Sequence, residues 1–318
     1  MIRRPLRTSA QVGILSAILL VISLPTTVRA QTIDDGVMMD SHHLFTGVLF
    51  SYESWDEYWE GTLKRENGNI GTLTTQTATW ATNYGITDRL NVIATIPYVR
   101  TRASQGVLRS MNGFQDLTLA AKYSVLDRPS TKYGSFRAIA VVAGGVPLTD
   151  YTPDFQPLSI GSASKRLSAR GTLNFQSRPG WFANGSTAYT WRAGVTLDRP
   201  YYFTDGQLFL TDEVDMPNVF DYVASGGYMK RGLMAEFLFS QQRTLGGGDI
   251  RRQDIPFVSN RMNFSKVGGA VMTPLPKLRD LVLRFDYAHT INGRNVGQAT
   301  SFTAGVLYRF HLPGSRTQ

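Results

Sequence analysis

Apolar and polar side chains alternate along most of the chain beyond residue 43, with the period of two that is typical of β-strands. About twelve runs share this alternation: 44–54, 72–84, 89–101, 113–126, 134–147, 165–177, 181–195, 217–229, 233–244, 259–273, 279–290 and 297–310. The last run is a clear example, because one face is mostly small or polar and the other carries Phe302, Ala304, Val306, Tyr308 and Phe310. Helical periodicity is absent from the runs, so the pattern predicts an all-β protein.

The connections between these runs alternate between long and short. Long ones such as "ESWDEYWEGTLKRENGNIG" and "TLDRPYYFTDGQLFLTDEVDM" take turns with short ones such as "GITD", "RPG" and "KRG". Outer-membrane barrels have this asymmetry, because their periplasmic turns are tight and their extracellular loops are long. The sequence therefore predicts a transmembrane antiparallel up-and-down β-barrel of about 12 strands over residues 44–310, in the outer membrane of a Gram-negative bacterium. Residues 31–43 and 311–318 are then predicted to be periplasmic segments.

The apolar faces of the runs suit lipid better than the core of a soluble protein. They contain many Ala and Gly residues, whereas the core of a soluble β-sandwich needs larger side chains to fill the space between its sheets. Aromatic residues gather near the ends of the runs, as the interfacial girdles of a barrel require; examples are Trp80, Tyr84, Tyr98, Trp181, Trp191 and Tyr308. Since every backbone N–H and C=O in hydrocarbon must be paired, lipid-facing strands without helices imply a closed sheet.

Two positions interrupt the strand pattern. Pro97 lies inside the run 89–101, where a central strand of a soluble sheet should not tolerate a residue without an N–H. We expect Pro97 on the lumen side near the outer end of its strand, where water or a bulge can compensate for the missing donor. The alternation also fails near Lys266, which predicts a bulge there.

Residues 1–30 have the features of a cleaved signal peptide. Arg3, Arg4 and Arg7 form a basic start, residues 12–24 are mostly apolar, and small residues precede a cleavage site after Ala30. The apolar run is shorter than the roughly 20 residues that span a bilayer, so cleavage is favoured over anchoring. Without this segment 29 basic and 24 acidic residues remain, and a net charge of about +5 does not indicate nucleic acid as a partner. The chain has no Cys, so no disulfide stabilises the exported protein.

Charged residues on the predicted inward faces would line the lumen of the barrel. A closed sheet of about twelve strands is wider than the eight-stranded barrels that side chains can fill, so the lumen is a candidate passage. Mixed charges across a narrow bore favour a network that stiffens the barrel; the functional alternative is a selectivity filter with a weak preference for anions. The candidates are Glu53, Arg89, Asp116, Lys122, Arg170, Arg192, Glu236, Arg284, Asp286 and Arg309.

The outer loops supply candidates for the capture of a solute. The stretch "FTDGQLFLTDEVDMP" offers an apolar surface that can fold over the barrel mouth. The stretch "GGGDIRRQD" offers adjacent guanidiniums for phosphate groups of lipopolysaccharide, although an ordinary solvated loop is the favoured interpretation. The acidic residues of the first stretch match no ordered calcium loop, so no metal or other cofactor is predicted. The capture candidates are Phe203, Leu208, Phe209, Leu210, Met216, Arg251 and Arg252.

The histidines argue against an enzyme. Outer-membrane barrel hydrolases need a His that meets a nucleophile near the outer rim. His42, His43 and His311 lie at the periplasmic ends of the predicted strands, which leaves His289. Its parity places it with Phe285 on the lipid face, so we predict no catalytic residue.

Three stretches resemble a family of outer-membrane proteins named for the meta-pathway of phenol degradation. They are "YGITDRLNVIATIPYV", "GFQDLTLAAKYSVL" and "GRNVGQATSFTAGVLYRF", and the likeness extends over most of residues 44–310. The resemblance implies a β-barrel proposed to pass or bind hydrophobic, often aromatic, compounds.

The leading expectation is an outer-membrane channel or transporter for passive passage or capture of small hydrophobic compounds, aromatic ones included. A structural or surface-interaction barrel without transport is the alternative, and a lipid-modifying barrel enzyme is the second alternative. The expected partners are outer-membrane lipids and lipopolysaccharide, a small hydrophobic solute and the outer-membrane assembly machinery. That machinery usually recognises a terminal aromatic residue, whereas Phe310 is followed here by "HLPGSRTQ".

Overall fold

A computed structural model of the chain describes residues 32–128, 132–204, 206–251 and 258–314. The predicted signal peptide lies outside the described residues, as does the end of the predicted C-terminal tail. Within the described ranges the one helical element is a 3₁₀ turn at Pro153–Phe155. No helix in this part of the chain is long and apolar enough to cross a membrane.

Twelve long antiparallel strands of the described chain, numbered β1 to β12, form one sheet. Each strand pairs with the next along the chain, and the last returns to the first. Their bounds are β1 His43–Trp55, β2 Leu73–Thr87, β3 Leu90–Ala103, β4 Asp116–Arg128, β5 Gly134–Pro147, β6 Arg166–Ser177, β7 Trp181–Arg192, β8 Val219–Lys230, β9 Leu233–Thr244, β10 Asn263–Leu275, β11 Leu278–Arg294 and β12 Thr300–His311.

The sheet closes between its first and last strands. Val48 of β1 lies opposite Trp80 of β2 on one side and opposite Val306 of β12 on the other. A closed sheet has no row of unpaired backbone groups, which is the condition for β-structure in hydrocarbon. The predicted fold, an all-β up-and-down barrel of twelve strands, is confirmed.

Side chains alternate between the outside and the lumen as the sequence predicts. On β12 the outward Phe302 and Val306 are 58% and 49% exposed, whereas the inward Leu307 is 7% exposed. Trp80 and Tyr98, which are predicted girdle residues, are also exposed on the outside. The exterior therefore presents apolar and aromatic side chains to lipid.

Short and long connections lie at opposite ends of the barrel. Residues 88–89 join β2 to β3 and residues 231–232 join β8 to β9, while the connections at the other end include 148–165 and 193–218. The end with the short turns is the periplasmic one in a barrel of this class. The outer loops also contain short hairpins that the alternation does not predict: Glu57–Glu60 with Leu63–Glu66, Tyr202–Thr204 with Gln207–Phe209, and Val195–Thr196 with Glu213–Val214.

Both predicted interruptions lie where strand pairing is irregular. The register of β10 against β11 shifts at Lys266, where the sequence predicts a bulge. β3 pairs with β4 up to Thr95, and with the short strand Asn112–Phe114 from Tyr98 onward. Pro97 lies between these two pairings, so its missing N–H falls at a break in the hydrogen-bond ladder.

Residues 32–42 fold into the periplasmic end of the lumen. The sequence predicts only a periplasmic segment at 31–43, and the structure places its described part inside the barrel. The physical reason is apolar burial, since Val37, Met38 and Met39 are 8%, 2% and 5% exposed. The main hydrophobic clusters of the protein therefore lie inside the bore, between this segment and the inward faces of the strands.

Candidate functional site

The N-terminal segment, residues 32–42, forms a floor across the lumen. Met38 packs in a cluster from β3, β4 and β5, formed with Ile93, Ala120, Ile139, Val141 and Ala143. Met39 packs in a second cluster, formed with Phe45, Phe182, Met234, Ala270, Met272, Val282 and Leu307. The second cluster draws on β1, β7 and the four strands from β9 to β12, so two consecutive methionines attach the floor around most of the bore.

A buried ion pair also holds the floor. Lys122 of β4 is fully buried, and its Nζ lies 2.7 Å from Asp35 Oδ1. The same ammonium donates to the Thr32 carbonyl oxygen at 2.8 Å. A buried ammonium is costly unless it is paired and hydrogen-bonded, so Lys122 favours the position of the floor that supplies both partners.

Gly36 lets the floor approach the wall closely. A Cβ atom added at Gly36 would lie 2.3 Å from Asn174 Cβ and 2.6 Å from Asn184 Oδ1. These two asparagines face the lumen from β6 and β7, and Asn174 Nδ2 donates to Asn184 Oδ1 at 2.7 Å. The wall is therefore fixed by its own hydrogen bond, and no side chain fits at residue 36 without a shift of the floor.

The outer loop 148–165, which we call the roof, folds into the opposite end of the lumen. Leu158 and Ile160 are 0% and 4% exposed. Leu158 packs with Leu73 of β2, and Ile160 packs with Val99 of β3. Thr101 Oγ1 donates to the Leu158 carbonyl oxygen at 2.5 Å, so this loop is attached to the inner wall of the barrel.

Polar contacts attach the roof to β4. Tyr151 of the roof donates its hydroxyl to Asp116 Oδ1 at 2.7 Å, and the Ala163 N–H donates to the same hydroxyl at 3.0 Å. Arg166 Nη1 donates to Asp116 Oδ2 at 2.5 Å. Burial, and then the hydrogen bond to Asp116, raise the pKa of Tyr151 well above its ordinary value, so the phenol stays a donor.

A cavity of about 560 Å³ lies in the lumen above the floor and extends to Arg166, beside the attachment of the roof. One side is an apolar wall formed by Phe45 and Leu49 of β1 and Leu307 of β12. Arg170 of β6 lines another part of the cavity. Because the barrel has twelve strands, β6 and β7 lie across the bore from β12 and β1, so Arg170 lies across the bore from the apolar wall. Ser51 of β1 and Thr303 of β12 also line the cavity, next to the ion pair of Arg284 and Asp286 on β11.

Strand β4 connects the floor, the cavity and the roof. Its consecutive inward positions are Asp116, Thr118, Ala120 and Lys122. Asp116 attaches the roof and Lys122 attaches the floor, while Thr118 and Ala120 line the cavity between them. The spacing of two along one strand therefore places both attachments on the same side of the lumen.

Nine of the ten predicted lumen residues lie on inward faces of the strands: Glu53, Asp116, Lys122, Arg170, Arg192, Glu236, Arg284, Asp286 and Arg309. The exception is Arg89, for which the prediction is wrong. Arg89 is exposed in the periplasmic turn, because β3 begins one residue later than predicted.

The inward charges largely pair with each other. Arg170 Nη2 lies 2.5 Å from Asp221 Oδ1, and Arg284 Nη2 lies 2.7 Å from Asp286 Oδ1. The Glu53 carboxylate lies 3.6 Å from Lys266 Nζ. The pairing agrees with the charge network that the sequence favours, and its stiffening effect on the barrel stays a prediction.

Sequence reasoning missed several charged residues of the lumen, among them Asp35, Arg166, Asp221 and Lys266. Strand parity contains a signal for Asp221, which shares the inward face of β8 with Val219 and Val223. Lys266 lies at the bulge, where parity fails. Asp35 has no signal of this kind, because the floor is not a strand.

The predicted capture residues of the long loop fall into two groups. Phe203, Leu208, Phe209 and Leu210 are exposed at the outer end of the barrel, and the Tyr202 and Phe209 rings stack at 4.9 Å. Met216 is instead buried with Val195, Leu197, Val214 and Val258, so it stabilises the loop and offers no capture surface. Arg251 lies beside Gly206, and Arg252 lies outside the described residues.

His289 lies on the outward face of β11, as the sequence predicts. Its Nδ1 is 2.8 Å from Thr300 Oγ1, and its Nε2 is 3.5 Å from Gln298 Nε2. Among the described residues, no group of three or more His, Cys, Asp or Glu side chains is placed to hold a metal ion.

Asn295 joins three outer loops. It adopts a positive φ of 57°, which Asn tolerates better than most residues. Its Oδ1 accepts hydrogen bonds from the Gly61 and Ile250 N–H groups at 2.7 and 3.0 Å, and its Nδ2 donates to Asp249 Oδ1 at 2.8 Å. Asp249 also pairs with Arg294 at 2.5 Å. The hydrogen bond from Arg294 is the main cause that lowers the pKa of Asp249 to about 2.

A solved structure with a similar fold is an outer-membrane channel. The COG4313 outer membrane channel from Pseudomonas putida F1 matches with a TM-score of 0.70 at 13% sequence identity, over 89% of this chain and 100% of that chain. The translocator domain of the autotransporter NalP from Neisseria meningitidis is more distant, with a TM-score of 0.45 at 11% identity over 87% and 90% of the two chains. The first likeness supports the barrel fold, and a closed barrel with this exterior belongs in the outer membrane.

No match is found among the curated proteins. A family profile matches residues 70–310, which is well over half of the chain and runs from just before β2 through nearly all of β12. These residues include the stretches in which the sequence resembles proteins named for phenol degradation. The chain therefore belongs to the family described as "Putative MetA-pathway of phenol degradation".

Proposed function

We propose that this barrel is a channel for passive passage or capture of small hydrophobic compounds, aromatic ones included, and that it acts without catalysis. The observation that carries the proposal is the lumen cavity of about 560 Å³, because an internal compartment of this size suits one small molecule. The apolar wall of Phe45, Leu49 and Leu307 supports an apolar solute. The family's description supports aromatic compounds as a class.

Passage through the whole lumen requires both the floor and the roof to move, because they occupy its opposite ends. If the predicted cleavage after Ala30 occurs, the floor is joined to the barrel only through β1. One covalent connection would let the floor leave the bore while the sheet stays closed. The floor is therefore the segment that we propose to regulate passage at the periplasmic end.

The proposed partners follow from the surface of the barrel. Outward apolar and aromatic side chains favour contact with outer-membrane lipids and lipopolysaccharide. The outer-membrane assembly machinery is also a proposed partner, with Phe310 at the end of β12 as the aromatic residue that it would recognise; Phe310 is 44% exposed.

The test uses intact cells, because small apolar compounds cross phospholipid bilayers unaided and a lipopolysaccharide leaflet slows them. A Gram-negative host would express the full chain, and uptake of the apolar aromatic dye N-phenyl-1-naphthylamine would be followed by fluorescence. Single-channel conductance of the purified protein in planar bilayers gives a second readout. A variant without residues 32–39, exported with its signal peptide intact, removes most of the floor.

We expect faster dye uptake than in the host alone, and higher conductance for the variant than for the full floor. A folded barrel that neither conducts nor accelerates dye uptake, with or without the floor, would overturn the proposal and favour the structural barrel.

A further inference from the structure

Arg166 of β6 lines the cavity, and Arg192 of β7, which is not one of the lining residues, lies beside Arg166; we call the two the arginine pair. The two residues lie directly opposite each other in the strand register, and both are on the inward face. Like charges at directly opposed positions repel each other. Anionic groups near the pair would therefore be stabilised.

The carboxylate of Asp116, which pairs with Arg166, is buried. The side chain of Asp116 is 2% exposed, whereas that of Arg166 is 36% exposed. Tyr151 of the roof donates to Asp116 and helps to cover it. The negative charge is thus buried, while the guanidinium that it orients lines the cavity.

Arg192 has no carboxylate partner in the described ranges of the chain. Its Nε donates to the Pro217 carbonyl oxygen at 2.6 Å, and its backbone N–H donates to Asn218 Oδ1 at 3.0 Å. A guanidinium has five N–H donors, so its two Nη groups retain capacity for a ligand. Thr190, which is two positions away on the same face of β7, lines the cavity.

Gly145 of β5 keeps the two arginines apart. Arg166 lies opposite Gly145 in the register, and a Cβ atom added there would lie 2.6 Å from Arg166 Nε. The absent side chain lets Arg166 lean across β5 to Asp116 on β4. Since β7 is on the other side of β6, Arg166 turns to Asp116 and Arg192 remains the member of the pair that can donate to a ligand.

The opposite side of the bore is the apolar wall of Phe45, Leu49 and Leu307. The charges that line the cavity are paired, Arg170 with Asp221, Arg284 with Asp286 and Arg166 with Asp116. The second Nη group of Arg166 donates to Thr118 Oγ1 at 3.0 Å, so Arg192 beside the cavity is the arginine of the pair with free donors. A ligand with an anionic group at the arginine pair and an apolar body toward the wall would match both sides. A neutral apolar compound would match only the wall.

We infer that the cavity binds a small organic carboxylate with an apolar body, such as an aryl carboxylate, with its anionic group at the arginine pair. The identification of this carboxylate as the solute of the channel rests on the proposed function, but its binding can be measured without any passage. A planar carboxylate suits guanidinium donors, which can bind it with two hydrogen bonds.

The test is calorimetric titration of the purified full-length protein in detergent with sodium benzoate, benzyl alcohol and benzylamine. The three probes share one ring and differ in charge. We expect benzoate to bind most tightly, and Arg192→Gln to weaken it by about tenfold or more, the scale of one charge-assisted hydrogen bond. Arg192→Gln leaves no carboxylate unpaired, so a loss of benzoate affinity in this variant does not come from a carboxylate that has lost its partner. Arg243→Gln, on the exposed outward face of β9, is the matched control and should change nothing.

Equal binding of benzoate and benzyl alcohol to the unmodified protein would overturn the inference. An equal loss of benzoate affinity in Arg192→Gln and Arg243→Gln would also overturn it. If Arg192→Gln does not fold, the double variant Arg166→Gln with Asp116→Asn replaces it, and unchanged benzoate binding there would also count against the site. The dye assay separates this inference from the channel proposal. Benzoate binding without dye uptake would contradict only the channel proposal. Dye uptake without a preference for benzoate would contradict only the carboxylate site.

Discussion

At the scale of single residues, the position of the floor depends on the missing side chain of Gly36. A methyl group there would overlap Asn174, whose Cβ lies 2.3 Å from the added atom, so Gly36→Ala should displace the floor. We expect an increase in single-channel conductance, with the barrel still folded. Gly185→Ala is the control, because a Cβ at Gly185 on β7 has no neighbour within 4 Å. Unchanged conductance in Gly36→Ala would show that the floor does not limit the pore.

Asp249 provides a prediction for acid pH. Its pKa is lowered to about 2 from the ordinary 3.8, so its ionised form stabilises the outer loops above about pH 4 and this stabilisation is lost as the pH falls toward 2. Pepsin, which is active in acid, should cleave the outer loops faster at pH 2 than at about pH 3.5, after correction for its own pH dependence with an unfolded substrate. Asp249→Asn should be cleaved quickly at both values. A wild-type rate that does not change between them would contradict the role of this carboxylate.

At the scale of elements, the strands could be predicted from the sequence and the floor and roof could not. The run 134–147 matches the bounds of β5, and 233–244 matches those of β9, because lipid outside and water inside impose a period of two on every spanning segment. The floor has no period, and its apolar residues could equally cover another surface. Strand ends cannot be predicted to the residue from the alternation: Arg89 lies in the turn because β3 begins at Leu90, one residue later than predicted.

The roof gives an element-scale prediction. Tyr151→Phe keeps the ring but removes the donor to Asp116, which leaves a buried carboxylate oxygen with less solvation. A lost partner of this kind costs about 1–3 kcal/mol, so we expect the roof to open about tenfold more often. Open probability in planar bilayers measures the effect. Tyr222→Phe, on the exposed outward face of β8, is the control, and an equal change in both variants would exclude a specific role for Tyr151.

At the scale of the whole molecule, the alternating pattern determines a closed wall, while the contents of the bore depend on contacts between distant segments. The Lys122 to Asp35 pair joins residues 87 positions apart, and the Arg166 to Asp116 pair joins residues 50 apart. Each pair needs the closed barrel before its members can meet. The strands of the wall can therefore be predicted from local sequence, whereas the cavity depends on tertiary contacts that local sequence does not reveal.

Closure of the wall leads to the prediction for the whole barrel. Gly47 of β1 lies opposite Leu307 of β12, and a Cβ atom added at Gly47 would lie 2.1 Å from the Val306 carbonyl oxygen. Gly47→Ala must therefore shift the seam between the first and last strands, and overpacking of this kind costs about 1–3 kcal/mol. Gly171→Ala is the matched control, because a Cβ at Gly171 on the outward face of β6 has no neighbour within 4 Å. The measurement is the urea midpoint at which the compact, heat-modifiable form disappears on a gel. We expect a lower midpoint for Gly47→Ala alone; equal midpoints for both variants would show that the seam tolerates a side chain and that closure does not depend on this glycine.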